Sequence, residues 1–176
     1  MRRLRLPGRP AMWFVALFIL LTGAQTACFY WQQNIFRTLV LTPVSRISYW
    51  IIDLLLPAVS LLPANTWYDL YLPGQVLRIN FGCTGIFALF ILIAAVLAYP
   101  AGWKAKLRGF CWMIPVFYLY SILRIVIMGL VGAAAPDSLD FVHSYLMEIV
   151  NIGVMLGIYV WWVERQQRPK LANTAG

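Results

Sequence analysis

Residues 83–100 read CTGIFALFILIAAVLAYP. The stretch holds no charged residue, and its apolar positions do not alternate with polar ones. Alternation over about ten residues would mark a membrane barrel strand, with one face to lipid and one to the lumen. An unbroken apolar run close to the ~20 residues that cross a ~30 Å hydrocarbon core reads as a membrane helix instead. Three further runs have the same character: 11–31, 107–131 and 141–163. Composition agrees. Of 176 residues, 62% are hydrophobic and 11% charged, where a soluble domain carries about a quarter charged residues. In lipid every backbone polar group needs an internal partner, which leaves helix bundles and closed barrels.

The charge pattern orders these runs. Arg2, Arg3, Arg5 and Arg9 precede the first, Lys104, Lys106 and Arg108 lie between the second and third, and Arg165, Arg168 and Lys170 follow the fourth. The loop between the third and fourth runs holds Asp137 and Asp140 and no cation. Lys and Arg in short flanks mark the cytoplasmic side. Four crossings with both termini inside put all three basic flanks there. The first run is too long for a signal-peptide core of roughly 7–15 residues, so it reads as an uncleaved span. The formal charge of +8 sits in these flanks and forms no basic stripe interleaved with aromatics, which argues against nucleic acid as a partner.

Residues 34–80 interrupt the pattern. The segment is apolar but broken by Arg37, Pro43, Arg46, Asp53 and Pro57. It reads as an amphipathic or re-entrant segment at the outer interface, with a hairpin crossing twice as the alternative. Residues 65–82, NTWYDLYLPGQVLRINFG, read as short strand or loop structure leading into Cys83. The expected fold is therefore an all-α, polytopic transmembrane bundle of about four spans, forming one domain over 1–176, with an interfacial or periplasmic segment over 34–80.

Three reactive residues fall at one depth. Cys83 opens the second span at its outer end, and His143 opens the fourth. Arg124 lies 17 residues beyond Leu107, about 25 Å along a helix rising 1.5 Å per residue, which brings it toward the outer leaflet. An intramembrane Arg is costly and points to function, although one snorkelling to the interface is the plainer reading. Gly82 and Gly85 flank Cys83-Thr84 and permit close backbone approach, while a helix start and a nearby cation favour thiolate. A buried Cys that merely packs is the alternative. His143 is the only histidine and suits general acid–base work at neutral pH. It also suits a polar cap, and Asp140 stands three residues before it, placed to orient the imidazole. Cys28 and Cys111 have no such setting and read as structural. One histidine and three unpatterned cysteines leave no metal site and no disulfide framework to propose.

Taken in order, NFGCTGIFAL, YSILRIVIMG and DFVHSYLMEIV resemble the exosortase/archaeosortase family of membrane transpeptidases, over about residues 77–163. The short length and the FVHSYL stretch resemble the compact exosortase H type. Many members carry Asn where this chain has Ser121, and Ser or Asn where it has Thr84. The resemblance implies a cysteine peptidase of the bacterial inner membrane with its site on the outer side and no cofactor. Its partners would be exported proteins ending in a short motif, a transmembrane helix and a basic tail, together with membrane lipid. It further implies Cys83 as nucleophile, Arg124 as stabiliser of the oxyanion or thiolate, and His143 as general acid and base, supported by Gly82, Thr84, Gly85, Ser121 and Asp140. A non-enzymatic membrane assembly or transporter subunit, with Arg124 in a structural ion pair, is the competing expectation.

Overall fold

The computed structural model describes residues 8–172. Arg2, Arg3 and Arg5 lie outside them, as do the side chains of Arg9, Arg168 and Lys170. The chain begins with α1 (Gly8–Trp31), and α2 (Gln33–Leu55) follows after a single residue. Three strands come next: β1 (Ser60–Pro63), β2 (Tyr68–Leu72) and β3 (Gln75–Ile79). A one-turn helix α3 (Phe81–Thr84) then leads into α4 (Ile86–Ala98) and α5 (Trp103–Ala134). The last helix, α6, is composite: Leu139–Phe141, a π-helical turn Val142–Leu146, and Met147–Ala172.

Among the described residues, four helices are long and apolar enough to cross a membrane: Ala11–Trp31, Gln33–Leu55, Trp103–Ala134 and Pro136–Gln166. This is the pattern of a multi-pass membrane protein. The number matches the expectation, but the membership differs. The run over residues 83–100 forms a helix of only 13 residues, about 20 Å long. Its start is set by Gly85, whose left-handed φ of 70° breaks the helix after Thr84. Its end is set by Pro100, which holds Tyr99 extended, as the residue before a proline prefers. In its place, Gln33–Leu55 has the length of a span, in the segment read as interfacial.

Packing shows where that segment goes. Phe29, near the end of α1, meets Phe81 edge-on at 4.9 Å and Phe87 at 5.3 Å. The C-terminal end of α1 and the N-terminal end of α4 therefore share one end of the bundle, and residues 32–80 leave and return to that end. Helix α2 ascends beside the later half of α5. The Tyr118 hydroxyl donates to the Leu39 carbonyl at 2.5 Å, and the Ser48 hydroxyl donates to the Ile122 carbonyl at 3.4 Å. Val44, Ser45, Ser48 and Ile52 form its buried face, with helical spacing and two small members, as close packing in lipid favours. At Gly129 a β-carbon would stand 2.6 Å from Ile52 Cδ1, so glycine is what lets α2 and α5 come this close.

The segment before Cys83 is a three-stranded antiparallel sheet in the order β1-β2-β3. Its last two strands pair from Tyr68–Ile79 to Leu72–Gln75 around a two-residue turn. Tyr68, Leu70, Leu72, Leu77 and Ile79 are buried, the one-sided alternation of a sheet that packs one face and solvates the other. They join Leu41, Val44, Ile52, Cys83, Ile125 and Met128 in one core. The sheet thus caps the same end of the bundle and delivers the chain into α3.

Candidate functional site

Asn80 starts the site. It sits extended at the N-cap of α3, and its side-chain oxygen accepts from the backbone N–H of Cys83 at 3.2 Å. An Asn in this position satisfies an otherwise orphaned helix N–H. Cys83 is buried, and its thiol donates weakly to the Arg78 carbonyl at 3.6 Å. The turn behind it is tied down at Thr84, whose hydroxyl donates to the Phe81 carbonyl at 2.8 Å. From α5, the Ser121 hydroxyl lies 2.8 Å from both the Thr84 and Phe117 carbonyls. Thr84 and Ser121 therefore act together as the strut under Cys83.

Arg124 lies one turn beyond Ser121 and is 4% exposed. Its Nη2 pairs with Glu148 Oε2 of α6 at 3.4 Å. Among the described residues, its Nε and Nη1 are buried without a hydrogen-bond partner. Two unmet donors on a buried guanidinium are costly, on the order of 1–3 kcal/mol each, and a native structure that keeps such groups asks for an explanation. His143 reaches the same place from the π turn of α6. Cys83, Arg124 and His143, with Leu77, Ile79, Ile125 and Met128, line one cavity of about 10 Å³. That is room for about one water-sized group, the scale of a single carbonyl oxygen rather than a peptide. Three residues 41 and 19 positions apart in sequence, on three helical elements, thus converge.

The remaining expected residues divide. Gly85 is integral: a β-carbon there would stand 3.3 Å from Asn151 Oδ1 and 3.8 Å from Arg124 Nη1, on top of the left-handed φ. Gly82 is exposed, although a β-carbon there would stand 3.1 Å from Asn80 Oδ1. Asp140 is exposed, and His143 Nδ1 is buried without a hydrogen-bond partner, so Asp140 does not hold the imidazole as its spacing suggested. Cys28 and Cys111 are exposed free thiols away from the site. Among the described residues, no group of three His, Cys, Asp or Glu side chains is placed to hold a metal ion.

Two residues given no role by the sequence belong here. Glu148 is the partner of Arg124. Asn151 is 4% exposed, with an unpartnered Oδ1 beside Gly85. A regular helix would put Glu148 on a different face from His143 and Asn151. The π turn over Val142–Leu146 changes the phase and brings all three toward the α4–α5 side. The available signal was the polar character of both residues within an apolar span.

Gly85→Ala is expected to destabilise the fold by roughly 1–3 kcal/mol, from a strained φ together with crowding of Asn151 and Arg124. Thermal unfolding in detergent measures it, and an unchanged midpoint would show that Gly85 is not needed for its left-handed φ. No family model, curated protein or solved structure matches this chain.

Proposed function

We propose that the chain is a membrane cysteine peptidase or transpeptidase of the exosortase type. In this reading it acts on the C-terminal sorting signals of exported proteins, from the outer face of a bacterial cytoplasmic membrane with both termini inside. The observation that carries it is the convergence of Cys83, Arg124 and His143 on one small cavity, with two guanidinium donors left free. The roles follow from their chemistry. The Cys83 thiol passes its proton to His143 as the sulfur attacks the scissile carbonyl carbon, forming a C–S bond and a tetrahedral oxyanion. Arg124 Nε and Nη1 supply preorganised donors to that oxygen in a water-poor site, where they are worth most. As the intermediate collapses, the C–N bond breaks and His143 delivers a proton to the departing amine. Neutral His143 then takes a proton from the incoming water, amine or lipid head group, which attacks the thioester carbonyl and releases the Cys83 thiolate.

The test is covalent capture. Purified protein incubated with a tailed substrate peptide is expected to gain the mass of the N-terminal acyl fragment on Cys83, in a form released by hydroxylamine. Turnover of the peptide with no such adduct under rapid quench would count against an acyl-thioester route.

The Arg124–Glu148 pair favours a second reading. A buried Arg that already has a carboxylate partner within its own chain can serve to dock α5 on α6 in a non-enzymatic membrane subunit. That reading accounts for Nη2. It leaves Nε, Nη1 and the unpartnered His143 Nδ1 without a purpose.

A further inference from the structure

The other end of the bundle carries a second cleft, formed where α5 and α6 cross far from Cys83. Arg108 lies 16 residues before Arg124 on α5, about 24 Å along the axis. The cleft measures about 440 Å³ and is lined by Arg108, Trp112, Trp161, Trp162, Arg165 and Gln166, with small residues at its base. Its walls are ordered by aromatic packing. Trp112 and Trp161 stack with centroids 4.4 Å apart, and the Arg165 guanidinium lies 3.9 Å over the Trp161 ring. Stacking uses the face of a guanidinium and leaves its in-plane N–H donors free. Among the described residues, Arg108 Nε donates only to the Lys104 carbonyl of its own helix, at 3.4 Å. Among the described residues, neither arginine forms an ion pair, although Glu164 is close in sequence. The Trp162 indole N–H, in the wall, is buried and also lacks a partner among the described residues.

Two uncompensated planar cations beside tryptophans, at the end of a helix pair that carries most of the basic flanks, have a definite chemistry. Tryptophan sits at the head-group level of a bilayer. Basic pockets between membrane helices on the cytoplasmic side take anionic head groups. Arg presents a fork of donors that matches phosphate oxygens in pairs. We infer that this cleft binds the phosphate of an anionic phospholipid head group, held between Arg108 and Arg165 over the Trp112–Trp161 stack. The site is independent of the chemistry at Cys83.

The experiment uses the full chain in neutral detergent micelles, titrated with phosphatidylglycerol and, separately, with phosphatidylcholine. Bound lipids are counted by native mass spectrometry. One saturable phosphatidylglycerol is expected in preference to phosphatidylcholine. The double variant Arg108→Gln/Arg165→Gln is expected to weaken it tenfold or more. Arg46→Gln/Arg78→Gln removes the same charge from exposed positions at the other end of the bundle and is expected to leave binding intact. Thermal unfolding of both variants checks the fold. A parallel arm adds inorganic phosphate: failure to displace the lipid at millimolar concentration assigns the site to a lipid, and displacement assigns the same site to free phosphate. Equal losses in the two double variants, or no preference for phosphatidylglycerol and no response to phosphate, would overturn the inference.

Discussion

If the proposed function holds, replacing Cys83 with alanine is expected to abolish processing of a co-expressed tailed substrate, by roughly 10⁴-fold or more, as loss of a covalent nucleophile does in acyl-transfer enzymes. The expectation is clean because the structural cost is small. Cys83 packs in the core as a small side chain, its backbone N–H keeps the Asn80 cap, and only a weak thiol contact to a carbonyl is lost. The variant should therefore accumulate in membranes at near wild-type levels. Immunoblots of the tailed protein and of this chain from the same cells read both quantities. Full processing by Cys83→Ala would end the enzymatic reading centred on this residue. Loss of processing together with loss of the protein would be resolved by Cys83→Ser, which retains the size and leaves a poorly activated hydroxyl.

On the proposed mechanism, Arg124→Lys is expected to lower processing by about 10²–10³-fold, the usual consequence of removing an oxyanion donor. Lysine keeps the charge and is able to reach Glu148, so the ion pair that joins α5 to α6 survives. What it lacks is the planar fork. A single ammonium cannot satisfy Glu148 on one edge and present donors to the cavity on the other. The substitution thus separates the observed ion pair from the proposed catalytic use. If docking of helices were its whole purpose, Arg124→Lys would process substrate at nearly the normal rate with nearly normal stability. The distinguishing result is a large fall in turnover with little change in the unfolding midpoint.

Several features of the molecule were legible in residues alone. Solvent was one: long uncharged runs admit only helices or a closed barrel in lipid, and the absence of alternation selects helices. The basic flanks around α5 and α6 marked one end of those helices as distinct. Arg124 stood out because a charge amid YLYSILRIVIMGL needs a reason to be there. A strand-like stretch before Cys83 was visible in the turn and alternation of YLPGQVLRI, which became the β2–β3 hairpin. The share of the helices was less legible. Apolar content does not reveal that Gly85 adopts a left-handed φ and shortens α4, nor that residues 33–55 join into one helix despite Pro43 and two arginines.

Tertiary structure alone decided the site. Whether residues 34–80 return to the end from which they leave is a matter of Phe29 packing on Phe81, a contact between residues too distant in sequence for any local pattern to encode. The partners of Arg124 were hidden for a related reason. Regular helical spacing sends Glu148 away from His143, and only the π turn at Val142–Leu146 brings both to the same side. Hydropathy and charge act residue by residue, so a sequence displays them directly. The meeting of a thiol, a guanidinium and an imidazole depends on helix phase, breaks and close approaches between elements, and these exist only once the chain has packed.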